Sequence, residues 1–128
     1  MIGSRILIEV DKMPNDTNLK LRRGDNKGYL LHFTDDNEAD IDITGWTVFF
    51  TASDDPSPEN DDAAQIKKTI TAHTVPLEGK TTINLSPTDT NLLGDFYYDI
   101  QVKRLDGSII TVLSGLMTFY ADQTRRTS

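Results

Sequence analysis

Residues 86–107 read "SPTDTNLLGDFYYDIQVKRLDG". A helix start, a glycine stop, an aromatic strand and a tight turn follow one another there with no linker between them. Ser86 is a helix-capping residue, Pro87 suits a first helical position, and Asp89 stands where a capping box wants a carboxylate. Gly94 is placed to end the segment in the left-handed conformation. The spacing predicts one or two helical turns over 87–93, with Leu92 and Leu93 plugging the end of a core. The next segment alternates. Phe96, Tyr98, Ile100 and Val102 share one face, and Tyr97, Asp99, Gln101 and Lys103 the other. Asp106-Gly107 then predicts a hairpin in which both central residues take positive φ.

The same alternation extends in both directions along the chain. "KGYLLHFTD" puts Tyr29, Leu31 and Phe33 on one face. "GWTVFFTAS" lines up Trp46, Val48, Phe50 and Ala52, and "TTINLS" offers Ile83 and Leu85. These runs are aromatic and β-branched, as pleated surfaces prefer. "NLKLRRGD" contributes Leu19 and Leu21 before a turn. "AAQIKKTITA" contributes Ile66 and Ile70, but its inward row carries Lys68. That predicts an edge strand, where the stem lies on the core and the amine reaches water. In "SIITVLSGLMTFYA", Ile110 and Val112 face one way and Met117 and Phe119 the other by strict counting. A one-residue shift is required, and Ser114-Gly115 is the expected bulge. Tyr98, early in the penultimate strand, matches the tyrosine corner of immunoglobulin-like sandwiches. Ser86, Pro87, Asp89, Gly94 and Tyr98 are therefore expected to form a structural corner that holds two sheets in register. The expected fold is all-β: an immunoglobulin-like antiparallel sandwich of about seven strands, with an N-terminal extension strand and one short helical turn. A small closed barrel is the alternative. The expected organisation is an arm at 1–17, the sandwich at 18–122 and a tail at 123–128.

With 128 residues the chain suits one core. It has no cysteine, so disulfides, thiolate metal sites and thiol nucleophiles are excluded. No apolar run approaches the length that spans a bilayer, and the interrupted N-terminus does not read as a signal peptide. The net charge is −7. Ten acidic residues and no Lys or Arg lie between Asp35 and Asp62. Such a surface repels phosphates, so nucleic acid is not an expected partner; neither is a membrane.

Catalytic residues are not expected. The two histidines, His32 and His73, have no nucleophile at a recognisable spacing, and no G-x-S-x-G elbow occurs. The acidic stretch from Asp36 fails as an EF-hand loop, since Ile41 stands where glycine belongs and Thr47 where glutamate belongs. No metal or cofactor site is assigned, although a looser calcium site between acidic loops stays open. Arg23-Gly24-Asp25 spells an integrin-type tripeptide and is read as a turn. Two terminal features offer binding. One is the arm, where Ile6, Ile8 and Val10 alternate around Leu7; it lies on its own sheet edge or adds to a neighbour's sheet. The other is Arg125-Arg126 in the tail, opposite in sign to the acidic loops. Ile6, Leu7, Ile8, Val10, Arg125 and Arg126 are the candidate assembly residues.

The succession "RRGDNKGYLLHFTDD", "DITGWTVFFTA", "DDAAQIKKTIT", "GKTTINLSPTDTNLLGDFYYDIQVKRLDGSIITVLSG" and "TFYADQTR" lies within the span from Leu19 to Arg126. It resembles the N-terminal domain of upper baseplate proteins of tailed bacteriophages and related phage tail proteins. The resemblance implies a non-catalytic, immunoglobulin-like attachment module of a virion. It would bind other virion proteins and form a homo-oligomer in the assembly. Such a protein is made in the bacterial cytoplasm and ends in the particle, at the baseplate, tail, neck or capsid surface. The competing expectation is a carbohydrate- or receptor-binding sandwich that uses exposed aromatics such as Tyr97 or Tyr120.

Overall fold

A computed structural model of the chain describes residues 7–10, 18–35, 37–55 and 64–121. Eight strands run β1 Leu7–Val10, β2 Leu19–Arg22, β3 Lys27–Thr34, β4 Thr47–Ser53, β5 Ile66–Ile70, β6 Lys80–Leu85, β7 Gly94–Lys103 and β8 Ile109–Tyr120. They form a three-stranded sheet, β1-β3-β6, and a five-stranded sheet, β2-β8-β7-β4-β5. The chain is an all-β two-sheet sandwich, as the alternation predicts.

The inward rows are the ones the period of two selects. Tyr29, Leu31, Phe33, Ile83 and Leu85 from the small sheet meet Val48, Phe50, Phe96, Tyr98, Ile100 and Val102 from the large one in a single buried cluster. Aromatic pairs within that cluster join neighbouring strands of the larger sheet. Phe50 lies 5.8 Å from Tyr98, and Phe96 meets Phe119 edge-on at 5.7 Å between centroids. Burying such rings is the largest favourable contribution available to a fold of this size. β5 is an edge strand, as Lys68 implies.

The arm contributes β1, which pairs antiparallel with β3 of its own chain from Leu7↔Thr34 to Val10↔Leu31. Of the two placements left open for it, the described strand takes the internal one. One pairing breaks the antiparallel rule: β2 runs parallel to β8, from Leu19↔Met117 to Arg22↔Tyr120.

Three local expectations are corrected. The register shift of the last strand falls at Val112, because Ile100 pairs with Leu113 and Gln101 with Thr111. Ser114 and Gly115 stay in regular register opposite Asp99 and Tyr98. The inward row needs its change of parity where Val112 and Leu113 both reach the core, and a bulge needs no glycine to supply it. The Asp106-Gly107 hairpin has a three-residue loop. Gly107 N donates to Arg104 O at 2.9 Å, and Arg104 N to Ser108 O at 2.9 Å. Only Gly107 has positive φ, at 88°, so the turn is of type I followed by a left-handed glycine. Finally, no helix forms over 87–93. One i→i+4 bond, Thr90 N to Ser86 O at 3.1 Å, closes a single turn. Leu92 N then turns back to Thr90 O at 2.8 Å, and the chain enters β7. Among the described residues the one short helical element is a 3-10 turn at Pro76–Glu78.

Candidate functional site at the open edge

Strands β5 and β6 are edge strands of different sheets and face each other along one side of the sandwich. A shallow groove runs between them. One part, about 330 Å³, is lined by Lys68, Ile70, Thr82 and Asn84. The other, about 440 Å³, is lined by Asn26, Lys27, Asn84 and Asp89. Lys68 and Asn84 belong to both parts.

Lys68 crosses the groove. Its stem occupies an inward position of β5, and its Nζ lies 2.7 Å from Asp89 Oδ2 in the turn after β6. Asp89 also closes the expected capping box. Its carboxylate accepts from Ser86 N at 2.8 Å and Ser86 Oγ at 3.0 Å, and its own amide donates to Ser86 Oγ at 3.2 Å. Burial pushes the Asp89 carboxyl up. The hydrogen bonds from Lys68 and Ser86 outweigh this and hold it below the usual carboxylate range.

Thr90 completes the corner, and the sequence reading missed it. It is fully buried. Its hydroxyl donates to Asp25 O at 2.7 Å, and its carbonyl accepts from Gly24 N at 3.0 Å. The corner therefore clamps the Arg23-Gly24-Asp25 turn. Arg23 N is bound in turn to Tyr120 O at 2.8 Å, and Gly24 takes φ 84°. The triplet is a fixed turn between β2 and β3. A threonine in a polar turn gives no sequence signal that it is buried. Pro87 is exposed within the turn, and Gly94 opens β7 with φ 98°, the left-handed conformation expected of it. Tyr98 lies in the core, where burial, and then the neighbouring Tyr98 phenol, push the Tyr29 phenol well above its usual range and keep it neutral.

Both histidines hold the fold together. His73 Nε2 lies 2.7 Å from Trp46 O, so that nitrogen carries the proton, and Nδ1 lies 2.9 Å from Thr81 Oγ1. His32 Nε2 lies 2.7 Å from Asp40 Oδ1. No group of three His, Cys, Asp or Glu placed to hold a metal ion occurs among the described residues. Nor is any helix there long and apolar enough to cross a membrane.

Of the candidate assembly residues, Leu7, Ile8 and Val10 lie on β1, paired with Thr34, Phe33 and Leu31. Ile6, Arg125 and Arg126 lie outside the described residues. Tyr97 and Tyr120 are 44% and 43% exposed. Their strands place them on the outer face of the larger sheet.

No protein-family model matches the chain, and a search of curated proteins finds no related sequence. Among solved structures the chain is similar to the PmoD soluble domain from a Methylocystis species. The identity is 12% and the TM-score 0.48, covering 94% of this chain and 95% of that one. It is also similar to a mutant SrpA adhesin from Streptococcus sanguinis, at 13% identity and TM-score 0.44 over 94% of this chain. The match spans 60% of the adhesin chain.

Proposed function

We propose that this chain is a non-catalytic attachment module that acts by holding other proteins, in the virion of a tailed bacteriophage. The observation that carries the protein-binding part is how the polar groups are used. Both imidazoles are engaged in hydrogen bonds within the fold, while among the described residues β5 and β6 end their sheets beside a groove, β6 being bridged by Val75 at Lys80 alone. An open strand edge offers backbone donors and acceptors to an incoming strand, which is a recurrent mode of protein recognition. The virion is supported by the resemblance of residues 19–126 to phage baseplate domains. In that setting the module repeats around a symmetry axis and contacts other virion proteins.

Mass spectrometry and antibody-labelled electron microscopy of purified particles test the reading. The expected result is a fixed copy number per particle, with label confined to one virion substructure. Particles that lack the chain and infect normally would overturn the virion part.

A second reading is favoured by Tyr97 and Tyr120, which are aromatic and exposed on one sheet face. Such rings stack on sugars, and the chain then binds a glycan receptor. A glycan array separates the readings, because binding lost in Tyr97→Ala selects the second.

A further inference from the structure

The β7–β8 hairpin holds the single Asp-Gly pair of the chain, and Asn-Gly does not occur. Such a pair is chemically labile for a steric reason. Glycine sets no side chain beside its amide nitrogen, so that nitrogen can reach the side-chain carbon of the aspartate before it. The attack makes several demands. The nitrogen must give up its proton, the carboxyl must be neutral so that water can leave, and the aspartate side chain must swing over the glycine amide.

The loop opposes each demand. Gly107 N is committed to Arg104 O at 2.9 Å. Asp106 Oδ1 is turned to Ser108, where it accepts from the amide at 2.9 Å and from Oγ at 2.6 Å. Ser108 Oγ in turn accepts from Arg104 Nε at 3.0 Å, so the hydroxyl relays the pull of the guanidinium to the carboxylate. The Ser108 hydroxyl, and then the Ser108 amide, hold the Asp106 carboxyl below the usual carboxylate range, in its unreactive anionic form. Burial gives no help. Asp106 and Gly107 are exposed, and a Cβ on Gly107 would meet nothing within 4 Å. The protection is made of hydrogen bonds, and Ser108 supplies both of those that hold the carboxylate.

We propose that Asp106-Gly107 is a latent isomerisation site, locked by Ser108 and released when the loop loses the two hydrogen bonds of that residue. In the reaction, deprotonated Gly107 N attacks Asp106 Cγ and the carboxyl hydroxyl leaves as water, closing a cyclic imide. Water then adds at Cγ, which restores aspartate, or at the main-chain carbonyl carbon of Asp106, which leaves the chain running through Cγ as isoaspartate. One water leaves and one enters, so mass is unchanged and no co-reactant is needed. Isoaspartate puts an extra carbon into the main chain. That carries Gly107 N away from Arg104 O and disturbs the Lys103↔Ile109 pair at the root of the hairpin, where the two longest strands join. The inference stands apart from the attachment reading and needs neither a partner nor a virion.

The test incubates the full chain at neutral pH and follows isoaspartate in the tryptic peptide that begins at Leu105. The folded chain should form it about tenfold more slowly than the same chain in urea, because reaction waits on local opening of the loop. Ser108→Ala should react about threefold faster than the parent, since the carboxylate loses its hydroxyl donor. Ser108→Thr keeps that hydroxyl and should match the parent. Asp106→Glu closes the ring far less readily and should give no isomerised peptide, which assigns the product to this bond. Equal rates in the folded and urea-unfolded chain would overturn the proposal. So would a Ser108→Ala rate equal to that of the parent, a Ser108→Thr rate equal to that of Ser108→Ala, or an absence of product in urea. A gain in Ser108→Ala that vanishes when the two chains are compared at equal fraction unfolded would overturn it too, because global unfolding would then account for the release.

Discussion

The chain crosses between its sheets on either side of β6, and the two crossings are pinned by different means. The first, residues 71–79, leaves β5 and is held mainly by its own backbone. Gly79 takes φ 73°, donates to Pro76 O and accepts from Phe33 N at 2.9 Å. A bridge joins Val75 to Lys80, and His73 reaches Trp46 O. The second, residues 86–93, is held by side chains: Ser86 against Asp89, Asp89 against Lys68, and Thr90 against Asp25. A backbone-pinned crossing fails when one residue no longer fits its dihedrals. A side-chain-pinned crossing fails by degrees, because each contact contributes a modest share.

The sharpest break is therefore Gly79→Ala. The new Cβ would lie 2.6 Å from Phe33 O and 2.7 Å from Ile41 O, at a positive φ. The expected loss is about 3 kcal/mol or more, from dihedral strain plus overpacking against backbone. Urea unfolding followed by the single tryptophan measures it; Trp46 is buried edge-on to Phe33 at 6.2 Å. His73→Ala follows, at about 2 kcal/mol, since it removes both hydrogen bonds and leaves Trp46 O without this donor. In the second crossing, Thr90→Val should cost about 1–2 kcal/mol by leaving Asp25 O without the buried hydroxyl. Lys68→Met keeps the stem and loses the ion pair, at about 0.5 kcal/mol after allowance for solvent screening. If the two crossings show equal losses, the distinction fails.

Acid sharpens the same contrast. The Asp89 carboxyl is depressed in the fold, so the unfolded chain binds its proton first on acidification. Its contribution is present above about pH 4 and disappears as pH falls through the lower folded value. Unfolding midpoints measured between pH 6 and pH 2 should fall less steeply in Lys68→Met than in the parent chain. Equal slopes would show that Lys68 does not set the Asp89 equilibrium.

The side-chain-pinned crossing is the one the sequence makes legible. Ser86 and Asp89 carry a capping signature, and Lys68 in an apolar row marks an edge. The period of two placed the core aromatics of β3, β4 and β7 on the inward face, and Phe119 in β8 needed the register shift as well. The backbone-pinned crossing was overlooked, although "PLEG" carries the signal of a proline at a helix start and a glycine after its end. His73 and Thr90 could not be found this way. Their partners lie 27 and 65 residues away in the chain, and only folding brings them together. The bulge was foreseen as a necessity and misplaced by two residues, because a parity change shows that a shift exists but not where it falls.

The parallel pairing of β2 with β8 has a mechanical consequence. The chain enters β2 at one end of that ladder and leaves β8 at the other. Tension applied at Asn18 and Ala121 therefore pulls the two strands lengthwise past each other. All four residue pairs bear the load together and do not open one after another. Stretching the molecule between those points in optical tweezers should need far more force than peeling β5 from its neighbour, a resistance suited to a part that must not let go.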